Sequence, residues 1–253
     1  MVRGLYEAAS GVLAQLKSFS VTANNIANVG TSGFKAVGVV GSSFAEHYVA
    51  RIGDGNIFPS RNIGKGSFFT VNISEYTDFT QGSIENTGRE LDMAINGNGY
   101  FRVHSDSMGD VLTRNGQFDV DSEMQLILPG VGVVLDDGGS PIILESSTFE
   151  LTADGTIISD SEEIGRVGVY SVSDESRLIS ADRGFFFSEE TPISAVNSSF
   201  MVVQGALEKA NVNMAVEMSR VMAGQNLYTA CAQVVKMYDQ LNEALITQIG
   251  KIS

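Results

Sequence analysis

Two proline-free segments lie at opposite ends of this chain, and each carries apolar residues in alternating steps of four and three. Near the N-terminus Leu5, Ala9, Val12, Leu16, Phe19, Ala23 and Ile26 keep that spacing without a break. This is a heptad seam, the pattern of a helix that packs on another helix. Gly11 is its one interior weakness, costing about 1 kcal/mol against alanine. The helix should stop between Asn28 and Gly33, where Asn and Gly accept left-handed backbone angles. At the other end Met214, Met218 and Val221 form one stripe. Leu227, Cys231, Val234, Tyr238, Leu241 and Leu245 form a second, out of phase with the first near Gly224 and Gln225. A bend or a change of partner is expected there. A helix from Asn211 to Ile249 would be roughly 58 Å long, more than the width of an ordinary domain of this size.

The region between these helices has a different texture. Residues 35–80 are rich in Gly and Ser and hold no lasting period, which predicts an extended, partly irregular connector. Residues 81–205 read as all-β. Leu91, Met93 and Ile95 alternate with Asp92, Ala94 and Asn96. Asn96-Gly97 and Asn98-Gly99 then supply hairpin turn residues before Tyr100–Val103, and Asn115-Gly116 does the same before Gln117–Val120. Further short strands are expected at 124–128, 131–135, 141–144, 148–152, 166–172 and 184–187. The predicted class is α+β. N- and C-terminal helices form a coiled-coil-like layer, and a mostly antiparallel all-β domain is inserted between them. The expected boundaries are 1–34 for the N-terminal assembly helix, 35–80 for the connector, 81–205 for the β domain and 206–253 for the C-terminal assembly helix.

Fixing about two dozen residues as the first helix costs backbone entropy that five large apolar side chains on one seam do not clearly outweigh. Firm order therefore requires the seam to be covered on more than one side. The C-terminal helix offers one cover and neighbouring chains would offer the rest, so both ends are expected to order on assembly. Period alone favours an ordinary antiparallel helix pair inside one globule. The unequal lengths of the two helices argue the other way.

Charge and composition exclude several functions. The chain has 16 basic and 30 acidic residues, a formal net charge of −14, which is wrong for phosphate backbones and so for nucleic acid. Its single cysteine forbids an intrachain disulfide and any multi-thiolate metal site. No run of about 18 apolar residues exists to span a membrane as a helix. Glu7, Gln15 and Lys17 interrupt any apolar core of a cleavable secretory signal. No Gly-x-Ser-x-Gly elbow occurs. Gly64-Lys65-Gly66-Ser67 lacks the Gly-Lys-Ser/Thr order and the strand–loop–helix setting of a phosphate loop. Asp119, Asp121 and Glu123 match only the first half of a calcium loop and are better read as a solvated strand face. His47 and His104 each stand without a nearby Cys or His, and Cys231 falls on the helical seam as a small apolar residue. The methionines at 214, 218 and 222 read as core unless the helix packs between subunits. No catalytic, cofactor-binding or metal-binding residues are expected.

Several motifs carry a resemblance. Arg3-Gly4-Leu5-Tyr6 and Ala8-Ala9-Ser10-Gly11 lead into Ala23-Asn24-Asn25-Ile26-Ala27-Asn28, with Thr31, Gly33, Phe34 and Lys35 after them. In the middle stand Phe79-Thr80-Gln81-Gly82-Ser83, Thr87-Gly88, Leu91-Asp92-Met93-Ala94-Ile95, Gly97-Asn98-Gly99-Tyr100-Phe101 and Thr113-Arg114-Asn115-Gly116-Gln117-Phe118. Gln204-Gly205-Ala206-Leu207-Glu208 and Asn211-Val212-Asn213 precede the C-terminal helix. Together these resemble the bacterial flagellar basal-body rod and hook protein family, block by block and in family order. Met124 stands where the family usually has glycine. The opening four-residue motif and Ala153-Asp154-Gly155-Thr156-Ile157 lean toward the FlgF type within the family over the FlgG type.

The resemblance implies a structural, non-enzymatic subunit of the basal-body rod. Such a subunit would self-assemble through its terminal helices into a tubular, torque-transmitting shaft. It implies other rod and hook subunits as partners, a homo-oligomer in the assembled rod, and passage through the flagellar type III export apparatus into the periplasm. The assembly interface would comprise Leu5, Val12, Leu16, Phe19 and Ile26 with Met214, Met218, Leu227, Val234, Tyr238, Leu241 and Leu245. Among the motif residues, the amides of Asn24, Asn25 and Asn28 would bond backbone near the first helix end, and Gly33 would turn the chain so that Phe34 packs back. Gln81 and Gly82 would mark the return into the β domain, and Asn211, near Asn213, would cap the last helix. Two other classes remain open to the residues alone. One is a β-domain binding module for a ligand or wall polymer on a helical stalk, the other a carboxylate hydrolase of wall glycan, for which no acid/base pair stands out.

Overall fold

The computed structural model describes residues 2–43, 46–51, 61–67, 71–144, 149–159, 162–172, 175, 178–180, 184–188, 193–194 and 200–249. They fall into two compact units, one of Met1–Asn24, Val37–Tyr76 and Met214–Ser253, the other of Asn25–Ala36 and Thr77–Asn213. The first unit holds the long helices α1 (Val2–Ala27) and α2 (Met214–Ile249) with the strands β1 (Val37–Ser43), β2 (Glu46–Arg51), β3 (Arg61–Ser67) and β4 (Val71–Thr77). β1 pairs with β4, and β2 pairs antiparallel with β3 from Glu46↔Ser67 to Arg51↔Arg61. The stretch expected as an irregular connector is thus drawn into two strand pairs. Alternation of apolar and polar residues, the signal that marks a half-buried strand in sequence, is missing from β2 and β3 and lasts only from Val71 to Ser74 in β4. Gly64–Ser67 lie inside β3, in an antiparallel pair and in no phosphate loop. His47 is in β2, and its side chain lies outside the described residues.

The second unit is the β domain. Its strands are β5 (Ile84–Asn86), β6 (Met93–Gly97), β7 (Tyr100–Ser105), β8 (Gly109–Thr113), β9 (Asp119–Val120), β10 (Leu126–Leu128), β11 (Gly132–Val134), β12 (Glu150–Leu151), β13 (Thr156–Ser159), β14 (Glu162–Arg166), β15 (Val169–Ser171), β16 (Leu178–Ser180), β17 (Phe185–Ser188), β18 (Ile193–Ser194), β19 (Phe200–Gln204) and β20 (Ala206–Glu208). The largest sheet runs β16-β17-β8-β7-β11-β10-β9, with β15 beside the start of β7 and β18 beside β15. Its pairings are antiparallel, as expected for the inserted domain. Strand period sorts side chains onto its two faces. Phe101, Val103, Val111, Val169 and Phe185 enter the main core, and their neighbours Tyr100, Leu112, Tyr170 and Phe186 form a second cluster. Edge-on ring contacts bind each cluster, Phe101 on Phe118 at 5.1 Å and Tyr100 on Phe186 at 5.9 Å.

The two hairpins read from Asn-Gly pairs are not formed. β6 takes its partner from the far end of the domain, pairing with β19 from Met93↔Gln204 to Phe200↔Gly97. Gly99 serves close approach, because a Cβ there would lie against the Val169 side chain, and its φ of 143° suits glycine. Gly116 serves the same end, since a Cβ would run into the carbonyl oxygen of Met93, whose own N–H donates to Gly116 O at 3.0 Å. A hairpin does form between β7 and β8, closing at Ser105↔Gly109. The C-terminal boundary moves as well. Residues 206–208 are a strand paired with β5, and the helix starts at Met214.

Met124 has φ of 58°, alone among the described non-glycine residues in the left-handed region. It closes a tight turn in which its N–H donates to Asp121 O at 2.9 Å and its carbonyl accepts from Leu144 N at 2.8 Å. The turn survives without the usual glycine because both bonds hold it. The Cβ still carries a left-handed penalty of about 1–2 kcal/mol, against a glycine entropy cost of roughly 0.5–1 kcal/mol. Met124→Gly should therefore stabilise the β domain by about 0.5–1 kcal/mol, read as a higher urea midpoint at unchanged m-value.

Candidate assembly site

In the first unit α1 and α2 run antiparallel. Gly4 faces Tyr238, Gly11 faces Cys231, and Phe19 faces Gly224 and Tyr228, so positions descend along one helix as they rise along the other. A Cβ on Gly11 would stand 3.1 Å from Cys231 Sγ, and one on Gly224 3.0 Å from Phe19 Cε1. Gly4, Gly11 and Gly224, which weaken these helices in isolation, each stand against a side chain of the other helix. α2 continues unbroken past Gly224. Lys17 also reaches Glu75 of β4 at 2.6 Å, an exposed pair worth little on its own.

This contact sets glycines of each helix against Tyr238, Cys231 and Phe19 and leaves part of the heptad seam exposed. Ala8 is buried, while Leu16 is 48% exposed. Leu5, Val12, Phe19 and Ile26 are half-buried, as are Val234 and Tyr238. Met214, Met218, Leu227, Leu241 and Leu245 are exposed, Leu227 and Leu241 by more than half. Single exposed apolar residues are ordinary, but here they repeat along two long helices. Among the described residues no helix is long and apolar enough to cross a membrane.

The second unit holds a buried ionic clasp that the sequence reading did not single out. The Glu208 carboxylate in β20 is 1% exposed. Its Oε1 accepts from Lys35 Nζ at 2.7 Å and from the Gly82 N–H at 2.9 Å, and its Oε2 accepts from Arg114 Nη1 at 3.3 Å. Lys35 Nζ also donates to Thr80 O at 2.9 Å, and Arg114 Nη2 to Gly97 O at 2.9 Å. The guanidinium lies 5.0 Å from the centre of the Tyr100 ring. Burial holds the Lys35 ammonium below its ordinary pKa, and the adjacent Glu208 charge opposes that shift. Burial likewise pushes the Tyr100 hydroxyl up, helped by Glu175, to whose Oε1 it donates at 2.9 Å.

Most of the motif residues gather around this clasp. Gly33, at φ 70°, donates its N–H to Glu208 O at 2.8 Å, and its α-carbon sits where a Cβ would strike the Arg114 backbone. Phe34 is buried beside Gly184. Gln81 bridges β6, donating to Ile95 O at 2.8 Å and accepting from Gly97 N at 3.2 Å. Gly82 leaves room for the Lys209 carbonyl. Asn211 is not a cap of α2. Its Oδ1 accepts from Ala36 N at 2.6 Å and its Nδ2 donates to Asp78 O at 2.8 Å, stitching three chain segments. Asn25 is buried, Asn28 accepts from Thr31 Oγ1 at 3.2 Å, and Asn24 and Asn213 are exposed but engaged. The signal that could have revealed the clasp was one charge of complementary sign in each of three otherwise apolar or glycine-rich motifs.

The other candidates are dispersed. Asp119 pairs with Arg89 at 3.2 Å, and His104 with Asp110 at 2.6 Å on an exposed strand face. Among the described residues no three His, Cys, Asp or Glu side chains gather as a metal site.

Three family models match the chain. Residues 5–35 match the flagella basal body rod protein model, 94–159 the flagellar hook protein FlgE/F/G D1 domain, and 203–249 the flagellar basal body rod FlgEFG protein C-terminal model. Each stretch contributes one member of the clasp, Lys35, Arg114 and Glu208 in turn. Among curated relatives, the chain is 30% identical over 225 residues to the flagellar basal-body rod protein FlgF of Rhizobium meliloti, covering 88% of this chain and 87% of the relative. It is 27% identical to FlgF of Caulobacter vibrioides across 100% of both chains. It is 28% identical to FlgG of Bacillus subtilis, over 97% of this chain and 98% of the relative.

Glu208→Gln keeps the shape of the clasp and removes the charge that two buried cations share. It should destabilise the β domain by about 3–5 kcal/mol in urea unfolding followed by tyrosine fluorescence. Lys35→Met combined with Glu208→Gln should cost less than the sum of the single changes, since the two groups act as one unit.

Proposed function

Because the chain belongs to the flagellar basal-body rod protein family, of the FlgF type, and is a structural subunit of the basal body, we propose that its two terminal helices are the surfaces by which it builds the rod wall. The observation that carries this reading is the division of the helical surface. Within the chain, glycines of each helix admit side chains of the other, Gly4 against Tyr238, Gly11 against Cys231 and Gly224 against Phe19, while the large apolar positions Leu16, Leu227, Leu241 and Leu245 stay exposed. In water those side chains are a liability, and burying their exposed half against neighbours would return about 0.7–1.5 kcal/mol for each. A coiled-coil-like layer, with knobs from one subunit entering holes of the next, is the arrangement that uses the whole seam. The interface residues are Leu5, Val12, Leu16, Phe19, Ile26, Met214, Met218, Leu227, Val234, Tyr238, Leu241 and Leu245.

Membership in the family implies assembly with other rod subunits. We read the assembled state as including copies of this chain side by side, reached by type III export into the periplasm. The work is mechanical and not catalytic: packed helices resist torsion, and the β domain adds lateral contacts. The motif residues Asn24, Asn25, Asn28, Gly33, Phe34, Gln81, Gly82, Asn211 and Asn213 serve this by setting the path of the chain at the β-domain edge.

Leu16→Asp and Leu241→Asp test the assignment. Both positions are about half exposed, so the isolated chain should keep its circular dichroism and its urea midpoint within about 0.5 kcal/mol. Either substitution should abolish incorporation into isolated basal bodies, together with motility. Motile cells carrying either variant would overturn the assignment.

A further inference from the structure

The first unit contains another buried acid, outside the clasp. Glu217, in the first turn of α2, is 3% exposed. Its Oε1 accepts from Arg220 Nη1 at 2.7 Å, while its Oε2 is buried and meets no donor. Glu217 lines a cleft of about 320 Å³ walled by α1, α2, β1 and β4, with Gln15, Thr22, Gly38, Tyr76 and Leu227 around it. All of these residues belong to the same unit. A buried carboxylate oxygen without a donor is rare in a finished structure, because the charge has left water and found only part of its replacement.

We propose that this cleft is completed on assembly by a cationic side chain of a neighbouring rod subunit, whose guanidinium or ammonium group donates to Glu217 Oε2. The inference rests on the reading of the chain as a rod subunit. Three observations select the occupant. The open position is a carboxylate oxygen, which asks for a donor, and a charged donor binds it more strongly than a neutral one. A metal ion would find a single carboxylate here, since no group of three or more His, Cys, Asp or Glu lies among the described residues. The volume stands at the lower end of small-molecule pockets, which suits one long side chain and not a chain segment. Leu227 joins the cleft to the exposed seam, so a subunit packed on that seam would stand within reach of Glu217.

The test uses the full chain carrying Glu217→Gln, which preserves shape and removes the charge, in cells lacking the wild-type copy. The urea midpoint of the isolated variant should equal or exceed that of the wild type, because the variant no longer buries a half-satisfied charge. Its incorporation into isolated basal bodies, relative to the exported pool, should fall roughly tenfold or more. Incorporation within about twofold of wild type would overturn the proposal. So would a lowered midpoint, which would show that Glu217 has its partner inside the chain. In a second arm, a photo-crosslinking residue replaces Ala223, which lines the cleft. Crosslinks in basal bodies should reach a neighbour's peptide containing Lys or Arg, and crosslinks confined to the same chain would count against the proposal. Absence of the wild-type chain itself from basal bodies would instead sink the rod-subunit reading, whatever the variant does.

Discussion

The Lys35–Glu208–Arg114 contact governs the β domain, since it joins positions far apart in the chain inside a space closed to water. Lys35 and Glu208 are 173 residues apart. Closing so long a loop costs only slightly more entropy than closing one half as long. The expense lies in desolvating three charges, and it is met because nearly every donor has an acceptor: Glu208 takes Lys35, Arg114 and the Gly82 N–H, and the cations reach carbonyls of Thr80 and Gly97. Such a network contributes geometry more than stability. It fixes the segment that follows α1 in sequence against the segment that precedes α2. An intervening domain can then be inserted with its two ends side by side, as the β5–β20 pair displays.

Glycine placement follows from the same demand for close approach. Gly33, Gly82 and Gly116 each stand where a side chain would collide with backbone of another segment. In the helical unit, Gly4 and Gly11 let α2 come near along one face of α1. On the proposed assembly, α1 would meet α2 on the face of Gly4 and Gly11 and other chains on the face of the exposed Leu16. Torsional stiffness in a tube of such subunits would come from that double engagement, since a helix held on both sides has little freedom to roll.

The legible parts of the fold were those with local signals. Both helices were visible because their apolar period persists through five or more turns, and the order helix, strands, helix followed. β10, β11, β12 and β15 fell within the expected stretches and β17 overlapped one, because their apolar runs are bounded by turn residues. The strands β1–β4 were missed because alternation in them is short or missing, and β19 and β20 because their pairing partners lie over a hundred residues away. The Asn-Gly pairs misled, since glycine that permits a turn and glycine that admits a neighbouring strand look alike in sequence. The clasp was overlooked although all three of its residues lay within motifs already noted, because no spacing rule connects charges separated by so much chain.

What the amino-acid sequence determined by itself was the class, the ends and the family: periodicity and turn chemistry are local, and a few residues suffice to express them. Only the tertiary structure decided which face of α1 meets α2, which glycines make room for backbone, and that Lys35, Arg114 and Glu208 share one dry site. Those are questions of distance between segments remote in the chain, and burial in three dimensions, where the strength of an ionic contact depends on the exclusion of water, is what answers them.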